Sequence, residues 1–166
     1  MEVDGTKFLP RSFQPLYANP APLETGEAWA AFEPRLADAT VGMLTSAGMY
    51  ATADQHPFDL DGERADPSWG DPSWRALPAD LPADGHGVCH LHINTADIEA
   101  DREVALPLDG LHDAFERGVV GGVAPTHYSV MGFQKAGLDA WRETTAPAII
   151  ERLRSERVDG LILAPV

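Results

Sequence analysis

Basic residues, cysteine and long apolar runs are what this sequence is short of. It carries 12 Lys and Arg against 26 Asp and Glu, a formal charge of −14. Nucleic acid or an anionic membrane would have to be bound against that net field, so neither is an expected partner. A single cysteine, Cys89, excludes an internal disulfide framework. No apolar stretch approaches the ~20 residues that span a bilayer. The start, MEVDGTKFLPRSF, lacks the basic-then-apolar layout of a signal peptide, and a cytoplasmic location is expected.

What is present suits one folded domain. At 44% hydrophobic residues, 166 residues build one real core and are short for two. Residues 1–24 hold Pro10, Pro15, Pro20 and Pro22 without sustained periodicity, which predicts an extended arm ahead of an α/β domain over 25–166. Ala39 to Thr45 reads as a buried first strand that breaks at Ser46-Ala47-Gly48, a turn able to bring backbone close to a ligand. From Met49 to about Pro82 the chain is dense in Pro, Gly and Asp and predicts a long irregular loop. It contains a local duplication, Asp66-Pro-Ser-Trp69 and Asp71-Pro-Ser-Trp74.

His86 to Asn94 alternates, which predicts a strand with Val88, His90, His92 and Asn94 on one face and Cys89, Leu91 and Ile93 on the other. Leu108 to Arg117 predicts a short helix closed by Gly118. A strand is expected over 119–124, and a helix from Gly137 to Val158 in which Pro147 makes a kink or begins the second half. Gly160 to Val166 predicts a last strand. This alternation gives the expected architecture, a single α/β domain with a mainly parallel sheet flanked by helices, flavodoxin-like or Rossmann-like, with ligands at the carboxyl ends of the strands.

The chemistry concentrates between Cys89 and Phe133. His90 and His92, two apart on one strand face, have the spacing of metal ligands, and a third ligand could come from Asp101 or from His127. Zn²⁺ or Fe²⁺ held by two histidines and a carboxylate would activate water or a carbonyl; equally, a histidine here could be a hydrogen-bonded core residue. His127 and Tyr128 follow a Gly-Gly turn where catalytic side chains sit, and His127 could work as a general acid or base without a metal. The backbone N–H groups of Ser46, Ala47 and Gly48 are candidates for a substrate carboxylate, with His56 and Asp59 of the long loop as further candidates. Cys89 reads as core.

Several motifs occur in an order that resembles a known family. Thr45-Ser-Ala-Gly48, His56-Pro-Phe-Asp59, Gly70-Asp-Pro-Ser-Trp-Arg75, His90-Leu-His92-Ile-Asn-Thr95, Asp101 with Leu106-Pro-Leu-Asp109, Gly118-Val-Val-Gly121, Ala124-Pro-Thr-His127-Tyr-Ser-Val-Met-Gly132 and Val158-Asp-Gly160 are together similar to the selenoprotein B family of glycine, sarcosine, betaine and D-proline reductases. Asp101-Arg102-Glu103 differs from that family's usual Asp-x-Asn. The resemblance implies reductive C–N cleavage of a small amino-acid-like substrate, with a selenocysteine or cysteine as nucleophile and a dithiol as electron source. It also places that nucleophile just beyond the strand corresponding to Gly160–Val166, where this sequence ends without it. Two expectations follow: a selenium-dependent reductase cut short at a UGA codon, or a natural short form using the histidine and carboxylate pocket, with or without metal, for acid–base or hydrolytic chemistry. A non-catalytic subunit is the rival reading. The last strand would join another copy or a partner subunit along its edge.

Overall fold

A computed structural model of the chain describes Arg11 and residues 30–66, 68–132, 134 and 138–166. The chain divides into two units, Met1–Ala31 and Phe32–Val166. The expected arm over 1–24 lies outside the described residues apart from Arg11. The second unit is an α/β fold whose described strands form a five-stranded mixed sheet and a separate two-stranded antiparallel sheet.

Strand β1 (Thr40–Thr45) is the centre of the main sheet. On one side it pairs in parallel with β7 (Gly160–Ala164), from Val41↔Gly160 to Thr45↔Ala164. On the other it pairs in parallel first with β5 (Gly122–Val123) and then with β6 (Thr126–Val130). These two are one edge interrupted at Ala124-Pro125. The expected strand over 119–124 is therefore reduced to two residues. Strand β3 (Trp74–Pro78) closes that side antiparallel to β6. The order across the sheet is β3, β5/β6, β1, β7.

The long loop expected over 49–82 is in fact built. It holds β2 (Met49–Ala51), helix α1 (Leu60–Ala65) and β3, and β2 pairs antiparallel with β4 (His86–Val88). Short-range side-chain bonds rather than periodicity organise it. Asp59 caps α1, its carboxylate accepting from the Gly62 N–H at 2.9 Å. In both Asp-Pro-Ser-Trp copies the Asp accepts from the N–H of the Ser two residues on, Asp66 from Ser68 at 2.9 Å and Asp71 from Ser73 at 2.8 Å. The duplication is one Asx turn used twice.

Helix α2 (Ala96–Ala100) and a single turn, Arg102–Val104, lead to α3 (Leu108–Glu116), which ends at Gly118 with φ +70° as its glycine predicts. The expected helix over 137–158 is in three parts: α4 (Leu138–Ala140), a π turn (Trp141–Thr145) and α5 (Ala146–Ser155). Pro147 lies in the first turn of α5, where its missing N–H costs nothing. The widened turn before it lets the Ala146 N–H reach the Trp141 carbonyl.

The helices α3 and α5 cover opposite faces of the sheet. Val41, Met43, Leu77, Leu108 and Leu111 pack on the α3 side. Tyr128, Val130, Ile149, Leu44 and Leu153 pack on the α5 side. Leu77 and Leu108 are fully buried, each contributing about 2–3 kcal/mol of burial.

Candidate functional site

Three parallel strands, β1, β6 and β7, end at the same edge of the sheet, and there the chain turns sharply. After Thr45 the turn Ser46-Ala47-Gly48 enters β2. Gly48 has φ +65°, and a Cβ there would stand 2.0 Å from the Cys89 carbonyl oxygen, so only glycine fits this approach. The Cys89 N–H donates to the Gly48 carbonyl at 2.9 Å. That bond brings the segment after β4 to the carboxyl end of β1, and Cys89 packs there with Phe58 and Met131. Burial pushes the Cys89 thiol up from its usual range, which keeps it protonated and core-like, as its single occurrence on an apolar face suggests.

The expected anion cradle is already occupied by protein. Ser46 N–H donates to Ala164 O at 3.2 Å, Ala47 N–H to Thr45 Oγ1 at 3.3 Å and Gly48 N–H to Val130 O at 3.0 Å. The turn's outward chemistry falls to the Ser46 hydroxyl, whose Oγ accepts from the Val166 N–H at 2.9 Å. Beside it a cavity of about 290 Å³ opens between the strand ends and the π turn, lined by Leu44, Ser46, Met131, Gln134, Trp141 and Leu163 among others. Among the described residues, none of the side chains lining it is charged.

The strand expected over 86–94 stops at Val88, so His90 and His92 leave the sheet. Once β2 ends there is no partner strand to extend the ladder, and the His92 N–H instead donates to His90 Nδ1 at 3.1 Å. The rings meet edge to face at 5.9 Å between centroids. His90 is nearly buried; that burial first, then His92, lowers its pKa, against the opposing pull of Glu63. His92 Nε2 lies 2.9 Å from an oxygen of Glu63, a carboxylate only 1% exposed on α1. Sequence reasoning missed Glu63, since its helix was read as loop and one Glu beside one Arg looks like surface.

The structure disperses the other candidates. Asp101 caps the Arg102–Val104 turn, accepting from the Glu103 N–H at 3.0 Å. Glu103, where the family pattern has Asn, accepts from the N–H groups of Asp109 and Gly110 at 3.0 and 3.1 Å and so caps α3 from outside. Among the described residues no three His, Cys, Asp or Glu side chains are grouped as ligands for a metal ion; His90 meets the ring of His92, and His92 meets Glu63. His56 is exposed and gives its carbonyl to Arg75 Nε at 2.8 Å, while Asp59 is the helix cap described above.

His127 and Tyr128, being adjacent on β6, point to opposite faces and cannot share a pocket. His127 is wholly buried, and its Nδ1 accepts from the Met43 N–H at 3.1 Å beside the break between β5 and β6. The proton is therefore on Nε2. Burial above all, then His112, pulls its pKa down to about 4, with Glu156 opposing. Tyr128 is fully buried against Trp74, ring centroids 5.7 Å apart. Burial and then Glu156 push its phenol up to about 12, Arg152 opposing.

Comparison with known proteins agrees with the motif order. The family described as glycine/sarcosine/betaine reductase selenoprotein B matches residues 25–166. The D-proline reductase subunit gamma of Acetoanaerobium sticklandii is 28% identical over 144 residues, covering 86% of this chain and 54% of that protein. The chain thus spans about half the length of the curated relative it matches. No solved structure matches it. Among the described residues no helix is long and apolar enough to cross a membrane.

Proposed function

We propose, from the premise that this chain belongs to the glycine/sarcosine/betaine reductase selenoprotein B family, that it forms the substrate-receiving part of a reductase cleaving the C–N bond of a small amino-acid-like compound. The observation that carries this reading is the cavity of about 290 Å³ beside the Ser46 to Val166 bond. From β1 the chain moves to β6 on one side and then to β7 on the other, a reversal that supports a flavodoxin-like reading. In such sheets ligands sit at the carboxyl ends of the strands where the order reverses.

In the proposed reaction a thiolate or selenolate attacks the substrate carbon, and the C–N electron pair leaves with the nitrogen, which takes a proton. One thiolate of a dithiol then attacks the sulfur or selenium, freeing the carbon to be protonated. The second thiol closes the disulfide and returns the nucleophile. The family pattern puts that nucleophile next to the end of β7, hence beside this cavity. A partner subunit is part of the same reading: β7 pairs with β1 alone among the described strands, an open edge of the kind that accepts another chain.

The lining narrows the substrate class. With Ser46 and Gln134 as its polar members among the described residues, the cavity penalises a bare ammonium and favours an alkylated nitrogen, whose methyl or ring carbons pack on apolar walls and whose charge is attracted to an indole. Calorimetric titration with betaine, D-proline and glycine tests this. Betaine or D-proline is expected to bind at least about tenfold more tightly than glycine, and Trp141→Leu to remove that preference. Equal or tighter glycine binding, or a preference that survives Trp141→Leu, overturns the reading.

A further inference from the structure

Among the residues lining the strand-end cavity, Gln134 has an amide that is held at one end only. Its Nε2 donates to the backbone carbonyls of Asp71 at 3.0 Å and Met131 at 3.3 Å. A carbonyl can only accept, so the amide nitrogen is the atom that faces these two, and the orientation of the amide is fixed. Oε1 is left buried, without a hydrogen-bond partner among the described residues. The indole N–H of Trp141, another lining residue, is buried and unpartnered too, and the two groups do not bond each other. Buried acceptors are almost always matched by a donor, and one that the chain leaves unmatched beside a cavity points to a donor brought by a ligand.

The anchor of this amide is itself tied down. Asp71 belongs to the second Asp-Pro-Ser-Trp copy, and its carboxylate accepts from the Ser73 N–H at 2.8 Å and from the Asp59 N–H at 2.9 Å. The backbone carbonyl that holds Gln134 is therefore part of a closed turn. The next carbonyl along, that of Pro72, accepts from the Thr145 hydroxyl, in the π turn that carries Trp141. One Asx turn thus fixes both Gln134 and the turn bearing the indole. An acceptor held in this way needs no reordering when a donor arrives, which is what a residue that reads a ligand requires.

We infer that Gln134 Oε1 accepts an N–H of the substrate, so that the cavity selects an amino-acid-like compound whose nitrogen is alkylated but still carries hydrogen, a secondary or tertiary amine, over a quaternary one. The inference rests on the ligand reading of this cavity proposed above and refines it. Apolar walls and the indole favour carbon on the nitrogen, while the Gln134 carbonyl favours keeping at least one N–H. Its two lone pairs match one or two such groups. A primary ammonium brings three, and Ser46 Oγ is already engaged by the Val166 N–H. A quaternary nitrogen brings none and leaves the buried acceptor unmatched, the situation in which a site built for a hydrogen bond rejects an analogue that lacks it.

Calorimetric titration of the full chain with glycine, N,N-dimethylglycine and betaine tests this, because the last two differ only in a methyl group that replaces the N–H. N,N-dimethylglycine should bind at least about tenfold more tightly than betaine. Gln134→Leu should bring the two within about twofold of each other, with glycine still the weakest of the three. That substitution also removes the two anchoring bonds, so the wild-type protein supplies an independent reading. In ¹⁵N-labelled wild type at equal saturation, the Gln134 side-chain NH₂ resonances should move with N,N-dimethylglycine and far less with betaine. Betaine binding the wild type as tightly as N,N-dimethylglycine, a preference that survives Gln134→Leu, or resonances that move equally with both ligands overturns the inference. In those cases, tighter binding of both than of glycine leaves the cavity reading standing. If neither binds more tightly than glycine, the cavity reading itself fails and this inference fails with it.

Discussion

At the scale of single residues, His127 shows how far a motif can be read. Its position after a Gly-Gly turn was legible, but the strand that holds it, β6, was not, since the expected strand stopped at Ala124. Which groups would surround it was not legible either, because that depends on Met43, 84 positions away in sequence, lying beside the break between β5 and β6. The outcome is a histidine that replaces a missing backbone acceptor. It carries a pH signature: with a folded value of about 4 and an unfolded value of about 6.5, the unfolded chain takes up a proton between those limits and the native chain does not. Stability therefore falls as pH drops from ~6.5, by about 2 kcal/mol at pH 5. In His127→Asn the amide oxygen can accept from Met43 and nothing titrates. Urea unfolding at pH 7.5 and pH 5 should show wild type losing about 2 kcal/mol more than this variant over the interval. Equal losses would mean that His127 is protonated in the native protein.

At the scale of elements, strands and helices with a clear period were legible and the locally tied segments were not. The apolar run of β1, the cap of α3 at Gly118 and the proline start of α5 all follow from rules that act within a few residues. The stretch holding α1 and β3 does not, because its order comes from Asp59, Asp66 and Asp71 side chains satisfying backbone groups, which removes the hydrophobic periodicity a reader relies on. The early end of β4 has the opposite cause: His86–Asn94 alternates well, but β2 is three residues long and cannot pair with more. Two glycines allow backbone conformation to be separated from crowding. Gly48 and Gly118 have φ +65° and +70°. A Cβ on Gly118 would meet nothing within 4 Å, whereas one on Gly48 would strike the Cys89 carbonyl oxygen. Gly118→Ala should cost about 1–2 kcal/mol in chemical denaturation, the left-handed penalty alone. Gly48→Ala should cost well over that and displace the segment after β4. Similar costs for the two would show that the Ser46–Gly48 turn has room to move, and that it does not fix the position of Cys89.

At the scale of the whole molecule, charge was the most legible property and the distribution of partners the least. Composition gives −14 directly, yet it does not say that the basic residues are spent close to home. Arg64 pairs with Asp61, Arg117 with Asp113 and Arg152 with Glu156, each three or four positions apart, while Arg102 is buried against Asp109 and Glu103. Local pairs of this kind contribute only about 0.3–0.5 kcal/mol each, and they leave the excess carboxylates facing one another across the surface. Salt weakens both the pairs and the repulsion, and the sign of its effect shows which is larger. The Debye length falls from ~30 Å at 0.01 M to ~8 Å at 0.15 M, so repulsion between carboxylates on different elements is removed over that range while contacts near 3 Å lose little. The urea midpoint should therefore rise with added NaCl, mostly below ~0.15 M, and level off above it. A midpoint that falls over the same range would mean that the ion pairs outweigh the repulsion.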